Sequence, residues 1–188
     1  ALAEQLRDVR LVLNCAGPFS RTAAKMIDGC LLTHAHYLDI TGEIAVIEMA
    51  AARNDKALAA GITLLPAVGF DVVPSDCLAA HLKCRLPDAT RLTLAFQAVG
   101  SPSHGTATTM VENLHRGSRI RANGRIIAAP AGLARRDIDF GRGPTPAMCI
   151  AWGDVATAYH STGIPDIAVY MAAPLPLRWM SRIASGLP

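Results

Sequence analysis

The run Val9, Leu11, Val12 and Leu13 ends abruptly in Asn14-Cys15-Ala16-Gly17-Pro18. Apolar residues in near succession leave a strand no wet face, so this pattern predicts a parallel strand with helices over both sides. In open doubly wound sheets, ligands sit in the crevice outside the carboxyl ends of the strands, where the loop at 14 to 18 would lie. Its small residues admit a ligand close to the backbone, and Gly17 most of all. Read alone, the same loop is better described as an ordinary tight turn between strand and helix. The neighbouring segments have to decide.

From Val9 to about Leu86, strand and helix signals alternate, as βαβ units require. Ser20 is the expected N-cap of a helix through Leu32, and His36 to Ile40 a second strand, broken by Gly42. Ile44 to Ala60 reads as one helix with Gly61 at its left-handed C-cap. Ile62 to Val68 is the third strand, and the loop Gly69 to Asp76 leads into a helix over 76–83 with Ser75 as cap. Beyond Arg91 the texture changes. Leu92, Leu94 and Phe96 alternate with Thr93, Ala95 and Gln97, the pattern of a strand with one packed face. Thr106 to Arg116 reads as a helix, and Asn123-Gly124 between Ile120 and Ile126 as a hairpin turn. Further strands are expected near 134–140, 147–152 and 167–171, with a turn at 143–146. The tail 174–188 opens an amphipathic helix, and the C-terminus is expected to be incomplete.

Composition removes several alternatives. With 51% hydrophobic and 18% charged residues in 188, the chain can build real cores. Cys15, Cys30, Cys77, Cys84 and Cys149 form an odd set without a C-x-x-C pair, so neither a disulfide framework nor a zinc site is indicated, and no metal is expected. His34 and His36 share a strand face but lack a third ligand at a familiar spacing. A net charge of +3 with 5% aromatic residues argues against a nucleic-acid partner. No apolar run approaches the roughly 20 residues that span a bilayer, and the first ten residues lack a signal-peptide layout, so no membrane partner and a cytoplasmic location are expected.

Three stretches carry a resemblance: LVLNCAGPF, HYLDITGE at 36 to 43, and LPAVGFDVVPSD at 65 to 76. In order and spacing they resemble the saccharopine dehydrogenase-like oxidoreductases, including the trans-acting enoyl reductase branch. GTATTMVENL and GDVATAYHSTGIPDIAVY resemble that family's second domain. The resemblance implies an α/β fold: a partial Rossmann-type parallel sheet over 1–88, followed over 89–188 by an α+β domain with a mostly antiparallel sheet that shapes the substrate pocket and often dimerises. It implies NAD(P) as cofactor, a small-molecule or acyl substrate, and a homodimer. Cofactor contacts are expected from Asn14, Cys15, Ala16, Gly17 and Pro18 on the nicotinamide ribose side, and from Gly69, Phe70 and Asp71 beside the reacting ring. Members of the family begin with a strand and a glycine-rich turn whose helix N-terminus holds the pyrophosphate, and nothing of that kind precedes Val9. The expectation is therefore a fragment that binds NAD(P) weakly and is inactive by itself.

Each polar candidate has a plainer reading. Asp39 and Glu43 end a strand at the functional edge, where a carboxylate could orient substrate or relay a proton, while Asp39 or Thr41 could equally cap the next helix. Asp71 could hydrogen-bond a substrate or close an Asx-turn. Ser75-Asp76 is favoured as a cap. His160, in TAYHSTG, could donate a proton, but no partner for it is visible in the sequence. No G-x-S-x-G elbow supports a hydrolase. Arg116, Arg119, Arg121, Arg125, Arg135 and Arg136 either keep a sheet edge charged or face an anionic group. Two readings compete with the enzyme: a dimerisation or scaffold module, and a binding protein for an anionic metabolite. The first turns on whether Leu94, Phe96, Ile150 and Trp152 are core or exposed, and the second on whether the arginines converge.

Overall fold

The computed structural model describes residues 2–97, 118–129 and 135–172. The chain folds into two compact units, one of residues 1–89 with 152–163, the other of 90–151 with 164–188. The helix and tail expected at 106–116 and 174–188 lie outside the described residues.

Unit one is a parallel sheet of β1 (Leu11–Asn14), β2 (His36–Asp39) and β3 (Leu64–Leu65), in that order, with Val12 beside Tyr37 and Asn14 beside Asp39. Its helices are α1 (Leu2–Gln5), α2 (Phe19–Thr33), α3 (Ile44–Ala51), α4 (Asn54–Ala60), α5 (Val73–Arg85) and α6 (Asp154–Thr162). Residues two apart on a strand share a face, and the Val12/Tyr37 face meets α2, α3 and α4 through Ile27, Cys30, Val46, Ala50 and Ala57. The other face differs from expectation: Leu11 and Leu13 remain 51% and 52% exposed, because every described helix that covers this sheet lies on the Tyr37 side.

Three local expectations are refined. Ser20 lies inside the first turn of α2 and leaves the cap open; the N–H groups of Phe19 and Ser20 donate instead to the carboxylate of Glu43, at 2.7 and 3.1 Å. The helix expected over 44–60 is divided at Ala52-Arg53, where the Arg53 guanidinium turns back onto the Met49 carbonyl at 3.2 Å and Asp28 at 3.2 Å. The third strand is short because Pro66 has no N–H and Ala67 adopts φ 62°, yet Val68 rejoins the ladder by donating to the Asp39 carbonyl at 2.8 Å. Gly61 does hold the left-handed C-cap, at φ 68°.

Unit two is a six-stranded, mostly antiparallel sheet: β4 (Arg91–Phe96), β5 (Arg119–Ala122), β6 (Arg125–Ala128), β7 (Arg135–Asp139), β8 (Pro144–Cys149) and β9 (Asp166–Ala172). β9 is the hub, antiparallel to β5 and β8 and parallel to β4. Asn123 and Gly124 take φ 49° and 76° in the β5–β6 turn, the left-handed pair that such a hairpin needs. The turn expected at 143–146 falls earlier. Asp139 accepts the N–H groups of Gly141 and Gly143 at 2.7 and 2.9 Å, and Pro144 and Pro146 open β8. Prolines are tolerated there because β9 pairs only with 147–149 of β8, leaving that edge of the strand open at 144–146.

Candidate functional site

The carboxyl ends of β1 and β2 bring Asn14 and Asp39 side by side, with Tyr37 two residues back on the same face. All three are buried. The Tyr37 hydroxyl donates to Asp39 Oδ2 at 2.7 Å, while Asp39 Oδ1 accepts the N–H groups of Thr41 at 3.0 Å and Ala67 at 2.9 Å. Asn14 Nδ2 lies 3.3 Å from both Tyr37 Oη and Thr22 Oγ1, and its Oδ1 accepts the Ala16 N–H at 3.1 Å. Thr22 closes the loop by donating to the Ala16 carbonyl at 2.7 Å. One carboxylate and one amide thus fasten the loops 14–18, 40–43 and 66–69 together. Burial pushes the Tyr37 phenol well above its usual range, and the Asp39 charge adds to this, so Tyr37 is a neutral donor at physiological pH.

Above this framework the expected cofactor residues line one edge. Cys15, Ala16, Gly17 and Pro18 are exposed, as are Phe70, at 90%, and Asp71. Gly69 stands in close quarters: a Cβ there would meet Ile40 Cβ at 3.1 Å, so the two loops would have to shift by a few tenths of an ångström to admit one. The catalytic candidates separate. Asp39 is enclosed, its carboxylate fully engaged by the loops; Glu43 caps α2; Asp71 keeps an exposed carboxylate at the loop edge. His160 sits on α6, with Nε2 3.7 Å from Glu48 of α3, among none of these loops.

Sequence reasoning missed Tyr37, although its spacing from Asp39 already placed both on one face. It also missed the start of α6. Trp152 donates its indole N–H to the Asp71 carbonyl at 2.9 Å, and Asp154 is wholly buried beside the first turn of α5. Ser75, expected as a cap, lies within that turn and donates to the Val72 carbonyl at 2.9 Å. In unit two, Leu94 is core, and Phe96 and Ile150 are half-buried; Trp152, also half-buried, belongs to unit one. The described arginines do not converge. Arg125 lies on β6, and Arg135 and Arg136 on β7, at opposite ends of the sheet order, and Arg121 is buried, donating to the Gly124 carbonyl at 2.7 Å. Among the described residues no group of three or more His, Cys, Asp or Glu side chains could hold a metal, and no helix is long and apolar enough to cross a membrane.

A parallel βα sheet with its carboxyl-end loops along one edge, in a chain that also forms a mostly antiparallel sheet, is a partial Rossmann-type α/β fold. The saccharopine dehydrogenase (L-Glu forming) of Saccharomyces cerevisiae shares it with a TM-score of 0.55 over 91% of this chain and 42% of that one, at 11% identity. In sequence the chain is similar to curated saccharopine dehydrogenase-like oxidoreductases and to trans-acting enoyl reductases. The mouse protein of that name is 31% identical over 106 residues, 56% of this chain and 25% of its own length. An Arabidopsis thaliana relative, whose name assigns it to mitochondria, is 37% identical over 68 residues, 36% of this chain and 15% of its own. A trans-acting enoyl reductase of Mycobacterium ulcerans is 26% identical over 161 residues, 81% of this chain and 38% of its own. The chain therefore spans about a quarter of the length of the saccharopine dehydrogenase-like relatives. No family model matches it.

Proposed function

We propose that this chain forms the nicotinamide-facing part of an NAD(P)-dependent oxidoreductase acting on a C=N, C=O or conjugated C=C bond. The observation that carries the reading is the fastening of three carboxyl-edge loops by Asp39 and Asn14, which presents small, exposed residues on a rigid base. The residues fit such a cofactor in part. Cys15 to Pro18 offer an open backbone shelf for a ribose and ring, and Gly69 keeps the second loop close. The first N–H groups of α2 are already taken by Glu43, so this helix does not supply a pyrophosphate seat, and binding by these residues alone is weak. The cofactor supplies the hydride chemistry; the protein's part is to orient the ring and exclude water. In this reading Asp39 and Asn14 are positioning residues, and Asp71 is the exposed carboxylate able to meet a substrate group.

Saturation-transfer NMR with reduced nicotinamide mononucleotide and with NADPH tests this. Saturation reaching the ring protons of either ligand, and lost in Ala16→Trp, supports the proposal. Absence of transfer from the folded protein to both ligands overturns it.

A further inference from the structure

Unit one holds a second polar cluster, where the first turns of α5 and α6 meet. The approach is close. The Trp152 indole anchors to the Asp71 carbonyl, and a Cβ on Gly153 would stand 2.9 Å from Val72 Cγ2 and 3.4 Å from the Gly42 carbonyl oxygen. The next residue, Asp154, is 0% exposed, and neither of its carboxyl oxygens makes a hydrogen bond of ordinary geometry. Thr157 and Ser161 follow at helical spacing on the same face of α6. Ser161 fixes what that face meets, because its hydroxyl donates to Asp76 Oδ2 at 2.5 Å. Asp76 Oδ1 and Thr157 Oγ1 are buried there without a partner as well. Buried polar atoms are nearly always paired, so four without a partner of ordinary geometry along one helix seam call for an explanation.

We infer that Asp154 is a positioning residue for the 69–76 loop, taking up and releasing a proton inside the closed seam and so setting how firmly α6 grips that loop. The inference rests on the proposed function only for placing the loop beside a ligand. A neutral Asp154 brings one more donor into a seam that holds a second carboxylate, Asp76; an ionised one places a second desolvated charge near Asp76. Burial, with a smaller push from the Asp76 charge, raises the Asp154 carboxyl to about 6, against the Ser75 hydroxyl and a backbone N–H that favour the ionised form. The groups acting on it are Ser75 and Asp76 from α5; of the other charged groups on the elements packed against α6, Glu48 of α3 pairs with His160 farther along α6, and Asp71 holds Trp152 through its carbonyl.

Trp152 reports on the grip. In a Trp179→Phe background it is the sole tryptophan, so its emission is followed from pH 4.5 to 8.5. The expected result is one transition with a midpoint near 6. Asp154→Asn removes it, Asp76→Asn lowers the midpoint, Ser75→Ala raises it, and His160→Gln leaves it in place. A transition that survives in folded Asp154→Asn, one that disappears with His160→Gln, or none in the folded parent overturns the inference. Should Asp154→Asn fail to fold by circular dichroism, the opposed shifts of Asp76→Asn and Ser75→Ala decide, and equal or like-signed shifts overturn it. None of these readings uses a nicotinamide ligand, so they stand apart from the saturation-transfer result.

Discussion

Asp39 and Asp154 are both wholly buried aspartates of the same unit, and the structure treats them in opposite ways. Asp39 accepts a phenol and two backbone N–H groups; Asp154 accepts none of ordinary geometry. Burial of a charge costs several kcal/mol unless hydrogen bonds replace the lost water. The first aspartate meets that condition and becomes a fastener. The second does not, and its proton affinity rises instead. Exposure alone therefore says little about what a buried carboxylate does; the donors around it decide.

The comparison breaks most visibly at Asp39. Asp39→Ala strands the Tyr37 hydroxyl and the N–H groups of Thr41 and Ala67, and each buried orphan costs about 1–3 kcal/mol, so a loss of roughly 3 kcal/mol or more is expected by urea unfolding. A loss below about 1 kcal/mol would show that the loops do not depend on it.

At Asp154 the sign reverses. Its folded pKa lies above its unfolded value of 3.8, so the folded state binds the extra proton, and stability falls as pH rises from about 4 through about 6. Asp154→Asn removes this slope, and at pH 7.5 the variant is expected to be more stable than the parent by up to about 3 kcal/mol. Parallel stability curves for parent and variant across that window would refute the assignment.

Glu43 gives the smallest effect. Glu43→Ala uncaps α2, a loss of about 1 kcal/mol that shrinks in high salt, measurable as a shift in urea midpoint at two ionic strengths. A salt-independent loss would mean that packing, and not the helix dipole, is what Glu43 supplies.

What was legible in the sequence is what local rules control. The positions of β1 and β2, the Gly61 cap and the Asn123-Gly124 hairpin follow from periodicity and left-handed turn chemistry, each decided within a few residues. The loops named for the cofactor do share one edge of the sheet, since any parallel βα unit puts its carboxyl-end loops together. What escaped depends on partners far along the chain. The cap of α2 comes from Glu43, more than twenty residues away, so Ser20 looked sufficient. The helix α6 has no clear local signal because the residues that receive it, Val72, Ser75 and Asp76, stand some eighty positions earlier. The turn before β8 was misplaced because the prolines at 144 and 146 look like turn formers until it is known that the β9-facing edge is open at that point.

The route of the chain through unit one has a consequence for its synthesis. The unit is closed by Trp152–Gly163, so it waits for a segment made after β4, β5, β6, β7 and β8 have been synthesised. The 74 residues from Thr90 to Gly163 take roughly 4–15 s at about 5–20 residues per second. During that interval Val72, Ser75 and Asp76 lack the helix that covers them, and the nascent chain carries an unfinished seam that only its own later residues can close.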